Sequence, residues 1–211
     1  MPRCELQRST KPSLATPDGK ASEAAVVISN DSDLQFPVQT ARDRVPVGTV
    51  NPSRSHTAGK LRGGFGLATR KVGNYEVSAA MVANPVGEVI DPHSGRLYGA
   101  PGRTPVNADA YRDLPHAAAK LNTTIGAVLT DAPVTTAQAQ RLAMTAHDGI
   151  ARAVRPAHSP LDGDTIFALS TAQEPAEVDK IQLCAAAADV VEEAIVTAVT
   201  AARPGLGLRA Y

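Results

Sequence analysis

Asn122-Thr123-Thr124 are the first residues whose types and spacing suggest chemistry. They stand where an irregular segment runs into a stretch of small and β-branched residues. A threonine at a strand start is ordinarily a β-former. It becomes a nucleophile if the peptide bond before Thr123 cleaves itself. The freed α-amino group, with an ordinary pKa of about 7.7–8.0, is then close to operating pH and can serve as general base. Hydroxyl and amine of one residue would supply nucleophile and base together, with no separate histidine. The second constellation is Leu161-Asp162-Gly163-Asp164-Thr165. Two carboxylates separated by one glycine fit a solvated turn closed by an Asx hydrogen bond. They also fit a site in which one carboxylate accepts from the threonine hydroxyl or ammonium while the other orients it.

Other chemistry-bearing residues lead less far. Arg62-Gly63-Gly64-Phe65-Gly66 is glycine-rich but lacks Walker spacing and the strand–turn–helix setting of a dinucleotide site. The histidines at 56, 93, 116, 147 and 158 have no metal-ligand spacing, and no cofactor is expected. His147 reads as a structural histidine within a helix, and Cys184 as a small core residue. Arg152, Arg155, His158 and Asp164 read as a solvated polar face. With 21 basic and 21 acidic residues among 211, the chain lacks the basic footprint of a nucleic-acid binder. No apolar run approaches the length of a membrane span, and Met1-Pro2-Arg3-Cys4 opens no signal peptide. Cys4 and Cys184 are too few for a disulfide framework, which fits a cytoplasmic location. Aromatic residues make up 3% with no tryptophan, so alanine and valine must build the core by close packing.

The elements that must position these groups can be read in outline. Residues 1–56 form a polar leader in which only Ala24–Ile28 has strand character. Gly59–Gly66 reads as a flexible turn region and Tyr75–Ala83 as a strand that Gly87–Ile90 continues or pairs with. Residues 99–122 read as loop with a short helix over Pro115–Leu121. Thr123–Leu129 and Thr165–Leu169 read as strands. Between them, a helix capped by Thr135 or Thr136 runs to about Val154, with Leu142, Ala143, Ala146, Ile150 and Ala153 on its apolar face. A second helix spans about Pro175 to Ala202, with Glu174, Glu177 and Asp179 in its first turns. Pro204-Gly205 stops it. The alternation of strand and helix predicts an α/β fold with helices covering a sheet, and places residues 123 and 164 at the starts of adjacent strands.

These segments also resemble a known family. Asn122-Thr123-Thr124-Ile125-Gly126, Thr130-Asp131-Ala132, Ala146-His147-Asp148-Gly149-Ile150-Ala151-Arg152-Ala153 and Pro160-Leu161-Asp162-Gly163-Asp164-Thr165 resemble the self-cleaving core of the DmpA-like L-aminopeptidase/D-esterases, β-peptidyl aminopeptidases and endo-type nylon-oligomer (6-aminohexanoate oligomer) hydrolases. Leu61-Arg62-Gly63-Gly64-Phe65-Gly66 and Val82-Ala83-Asn84-Pro85-Val86-Gly87 resemble it as well. Threonine rather than serine at position 123, with Asp-Gly-Asp, resembles the nylon-hydrolase branch more than the serine branch.

The resemblance implies an αββα sandwich of the N-terminal-nucleophile type and autocleavage between Asn122 and Thr123. Residues 57–122 would be the end of the larger chain and 123–211 the nucleophile-bearing smaller one. The pairs would stay associated in a homo-oligomer acting on a small linear amide or peptide. Thr123 would attack, Asp164 would contact it, Asp162 would hold Asp164, and Asn84 would bind the substrate carbonyl or oxyanion. The lysine usual before the family's Gly-Gly corresponds to Arg62, with Lys60 two residues earlier, as substrate-binding cations. Residues 1–56 match nothing of the family's longer N-terminal part, so the fold is expected to be incomplete there. The alternatives are a truncated, non-catalytic member and an acyltransferase of the ornithine acetyltransferase type.

Overall fold

In the computed structural model, residues 25–28, 47–50, 56–115, 122–172, 174, 176–205 and 207–211 are described. Near the N-terminus β1 (Ala25–Ile28) and β2 (Val47–Val50) pair in parallel. A minimal hairpin follows, β3 (Thr57–Ala58) against β4 (Leu61–Arg62). The main sheet begins with β5 (Gly64–Val72) and β6 (Tyr75–Ala83). The one-turn helix α1 (Ala108–Arg112) lies in the long connection to β7 (Ile125–Thr130). Helix α2 (Thr136–Ala153) crosses to β8 (Thr165–Ser170), and α3 (Lys180–Thr200) closes the order.

The sheet order is β5-β6-β7-β8, with β7 and β8 parallel and the other neighbours antiparallel. Helix α2 is the crossover that a parallel pair requires. One sheet face, carrying Val77, Ala79, Met81, Val128 and Ile166, packs with the buried residues of α2 and α3 into one core. Burying each larger aliphatic side chain there contributes about 1.5–3 kcal/mol. The opposite face buries Ala80, Val82 and Ala127 but leaves Leu67 58% and Leu129 40% exposed, and β2 lies against β7. The arrangement is α/β, with a mixed sheet and its helices.

Small residues let the layers approach closely. A Cβ on Gly66 of β5 would stand 2.0 Å from the Ala194 carbonyl oxygen of α3. One on Gly149 of α2 would stand 2.2 Å from the Ala188 oxygen, also on α3. Ala186, Ala187, Ala188, Ala194 and Ala198 are all buried on α3, so the alanine-rich composition is spent at these contacts. Arg70 of β5 pairs with Asp189 and Glu193 of α3, and Arg152 of α2 reaches the same Asp189 at 2.7 Å.

Several expectations need correction. Gly59–Gly66 is not simply a turn, since β5 begins at Gly64, where pairing with Ala83 supplies the ladder. Gly87–Ile90 does not extend or pair with β6, because Glu88 bridges Arg155 and Ile90 bridges Leu97. Helix α3 starts at Lys180 rather than near Pro175. The Asp179 side chain accepts from the Ile181 and Gln182 N–H groups and so defines the N-cap, leaving Glu174 and Glu177 ahead of the helix. Residues 116–121 of the helix expected over Pro115–Leu121, and His116 with them, lie outside the described residues.

Candidate active site at the start of β7

Two strand registers fix the site. The antiparallel β6–β7 ladder pairs Val82 with Ile125, and carrying it two residues on sets Asn84 opposite Thr123. The Thr123 N–H accordingly donates to the Asn84 carbonyl at 3.1 Å. The parallel β7–β8 ladder pairs Ile125 with Thr165, and its backward continuation appears as a bridge between Asn122 and Asp162. Asn84, Thr123 and the Asp162–Asp164 loop are therefore brought together.

The Asn122 carbonyl lies at the centre. Its oxygen accepts from the Gly163 N–H at 2.9 Å and from Thr123 Oγ1 at 2.7 Å. The Asn122 side-chain amide donates to the Pro85 carbonyl at 3.0 Å. Asn84 Oδ1 accepts from the Thr57 N–H at 3.0 Å, which orients the amide with its NH2 as the remaining donor end.

The two aspartates take separate partners. Asp162 Oδ1 accepts from the Val86 N–H at 2.9 Å, and its Oδ2 from the Ser159 hydroxyl at 2.6 Å, so it ties the Asn84–Gly87 loop to the loop before β8. Asp164, with a side chain only 3% exposed, accepts from the Thr124 N–H through Oδ1 at 3.0 Å. Its Oδ2 lies 2.8 Å from His158 Nδ1. In this geometry Asp164 is held by His158 and Thr124, where the sequence suggested Asp162. Its hydrogen bond goes to the residue after Thr123.

His158 is 40% exposed, as expected of a solvated face, and it also reaches into the site through its hydrogen bond to Asp164. The His147 ring from α2 lies 5.1 Å from it, centroid to centroid, at 53°. Burial pushes the His147 pKa down, and the neighbouring His158 charge acts in the same sense, against Asp164 and Asp148. In sequence, the sole sign of His158 is its place six residues ahead of Asp164.

Lys60 and Arg62 make their polar contacts elsewhere. Lys60 is buried, donates to the Arg112 carbonyl at 2.7 Å and lies 5.5 Å over the Tyr111 ring. Desolvation, reinforced by Glu88, drives the Tyr111 phenol pKa up. Arg62 donates to the Gly205 carbonyl at 3.4 Å. A cavity of about 420 Å³ is walled by Lys60, Leu114 and Arg209 among others. Among the described residues no group of three or more His, Cys, Asp or Glu could hold a metal ion, and no helix is long and apolar enough to cross a membrane.

The fold is α/β, and the solved structures that it resembles are aminopeptidases of the Ntn-hydrolase fold. The L-aminopeptidase D-Ala-esterase/amidase from Ochrobactrum anthropi, described as a prototype for serine aminopeptidases and a variant of that fold, is 27% identical with a TM-score of 0.57. The match covers 83% of this chain and 54% of that one. A Burkholderia sp. β-aminopeptidase is 25% identical with a TM-score of 0.55, over 82% and 53% of the two chains. The chain belongs to peptidase family S58, whose profile matches residues 13–210. That match begins well before Thr57 and corrects the expectation that residues 1–56 share nothing with the family. An uncharacterized aminopeptidase from Mycobacterium leprae is 37% identical over 193 residues, covering 79% of this chain and 52% of that protein. A 6-aminohexanoate-oligomer endohydrolase from Kocuria sp. is 31% identical over 141 residues, covering 60% and 40%. The chain spans about half the length of the curated aminopeptidases it matches.

Proposed function

We propose that this protein is an amide hydrolase whose nucleophile is Thr123, exposed by cleavage of its own Asn122–Thr123 bond. One observation carries the reading: the Asn122 carbonyl oxygen accepts from both Thr123 Oγ1 and the Gly163 N–H. In the self-cleavage step Oγ1 adds to the Asn122 carbonyl carbon, and the developing oxyanion is stabilised by the Gly163 N–H. The C–N bond then breaks, the threonine nitrogen takes the hydroxyl proton, and Asn122 is left as an ester on Oγ1. Water hydrolyses that ester, leaving a carboxylate on Asn122 and a free amine on Thr123.

In turnover the Thr123 amine accepts the Oγ1 proton as the hydroxyl attacks the substrate carbonyl. The Asn84 carbonyl, already bonded to Thr123 N, holds that amine, and the Asn84 NH2 donates to the substrate oxyanion. The substrate amine leaves with a proton, and water releases the acid from the acyl-enzyme. In this reading Asp164 and Asp162 brace the two loops of the site. Lys60, on the wall of the 420 Å³ cavity, is the cation that faces a substrate carboxylate there, while Arg62, bonded to the Gly205 carbonyl, takes no part in this reading. The substrates are short linear amides, either peptides or 6-aminohexanoate oligomers. The two products stay together because β6 and β7, on opposite sides of the cut, are paired from Val77–Thr130 to Val82–Ile125. The cleaved pairs then assemble into a homo-oligomer.

Intact-mass analysis of the purified protein tests this. The expected result is two species, residues 1–122 and 123–211, replaced in Thr123→Ala by one uncut chain with no turnover of a chromogenic amino-acid amide. An uncut wild-type chain, or turnover retained in Thr123→Ala, overturns it.

A further inference from the structure

The proposed reaction leaves the imidazole of His158 without a part, yet three features converge on it. First, the Asp164 carboxyl is almost wholly buried, and each of its oxygens has a protein partner: Thr124 N–H at 3.0 Å and His158 Nδ1 at 2.8 Å. A buried carboxyl that lost its partner would carry the full desolvation cost or turn to find another. Second, His158 is the one non-glycine residue with positive φ among the described residues, at 54°. That conformation is uncommon for a side-chain-bearing residue. It is retained where the ring has been aimed at Asp164. Third, the His147 ring of α2 lies against His158, 5.1 Å away centroid to centroid and tilted by 53°.

The bond that this pair protects is next to the nucleophile. Thr124 is fully buried, so its N–H needs an acceptor, and Asp164 Oδ1 is that acceptor. The Thr124 nitrogen belongs to the same peptide plane as the Thr123 carbonyl. Turning Asp164 would release that plane and, with it, the direction of Oγ1.

We propose that His158 is the positioning residue of the site, holding Asp164 in the rotamer that binds the Thr124 N–H and thereby fixing the Thr123–Thr124 peptide plane. Its catalytic consequence rests on Thr123 being the nucleophile. The positioning itself does not.

Two variants separate ring from backbone. His158→Gly accepts the positive φ and removes the donor. His158→Asn keeps a donor near the Nδ1 position and tolerates the left-handed conformation. Amide hydrogen exchange on the full chain, read by NMR, is the first measurement. In His158→Gly the Thr124 amide should exchange about 10-fold faster or more, the worth of a hydrogen bond to a charged group, while the Val128 amide is unchanged. His158→Asn should recover most of that protection. The second measurement is the rate at which the 123–211 fragment forms, with kcat and KM on alanine p-nitroanilide. For His158→Gly both cleavage and kcat should fall about 10-fold with KM little moved, and His158→Asn should restore them. Unchanged Thr124 exchange in His158→Gly, or His158→Asn no better than His158→Gly, overturns the proposal. If Thr123→Ala still turns over, the nucleophile assignment fails while the exchange result stands. If Thr123→Ala is inert and His158→Gly retains wild-type cleavage and kcat, the role of His158 fails alone.

Discussion

Gly163→Ala places a single methyl group against the proposed nucleophile. An ideal Cβ there would stand 2.9 Å from Thr123 Oγ1 and 3.8 Å from its Cγ2. Ordinary carbon–oxygen contacts lie at about 3.3–3.6 Å, so Oγ1 must retreat by about 0.5 Å or turn to another rotamer. The yielding atom ends a short side chain, and the Gly163 N–H that bonds Asn122 is untouched. The cost to the fold should therefore stay below about 1 kcal/mol. The cost to the reaction is larger. A misplacement of about 1 Å can cost about 100-fold, so half of that corresponds to about 10-fold, or about 1.4 kcal/mol in the barrier. The assay is a time course of the 1–122 and 123–211 species by intact mass, beside a thermal melt. Gly102→Ala, whose Cβ would meet nothing within 4 Å, serves as the control with unaltered cleavage. Wild-type cleavage by Gly163→Ala at unchanged melting temperature would refute the reasoning, because the position of Oγ1 would then not govern the rate.

Three further predictions concern the scaffold. Gly66→Ala would drive a Cβ to 2.0 Å from the Ala194 oxygen and 2.5 Å from the Ala198 nitrogen, both backbone atoms of α3. It should lower unfolding free energy by about 2–3 kcal/mol in urea titrations, and an unmoved midpoint would contradict the close packing. Thr135→Ala removes the hydroxyl that caps α2 and half of its capping box with Gln138, and should cost about 1 kcal/mol in the same titration. His147 has a folded-state pKa depressed below its ordinary 6.5, chiefly by burial, so the unfolded chain takes up the proton first. Its contribution is present above about pH 6.5 and is lost as pH falls through the window below it. His147→Gln should flatten this acid-side slope of stability, and an identical pH profile in wild type and variant would exclude the assignment.

What could be read from the sequence was local. The start of α2 could be read from Thr135 or Thr136, of which Thr135 is the cap, and its buried face from Leu142, Ala146, Ile150 and Ala153. β7 and β8 declare themselves by β-branched residues, and their parallel pairing follows from the helix between them. Gly64 and Gly66 suggest close backbone packing, but their partner, the backbone of α3, lies more than a hundred positions later and is not readable locally. Helix α1, with five residues, is too short to show a helical period in sequence. At the site, Asn122–Thr123 and Asp162–Asp164 stood out because each is contiguous. His158 did not, since its aim depends on a positive-φ turn and on His147 arriving from another element. The pairing of Asp162 with Asp164 that the resemblance implies is replaced by separate partners, Val86 and Ser159 for Asp162 and Thr124 and His158 for Asp164.

The geometry of the site follows from β7 sitting between two neighbours of opposite sense. Its antiparallel register with β6 sets the Asn84 carbonyl on Thr123 N, and its parallel register with β8 sets the Gly163 N–H on the Asn122 oxygen. A one-residue slip in either ladder would turn every side chain of that strand to the other face. The slip is opposed on the helix-facing side, where Val77, Ala79 and Met81 of β6 and Val128 of β7 are fully buried against α2 and α3. Residues far from Thr123 thus hold Oγ1 to the Asn122 carbonyl. The small residues that bring α3 onto the sheet belong to the same constraint. Loosening them at Gly66 would disturb the β5–β6 pair first and reach Asn84, one residue beyond Ala83, through the ladder.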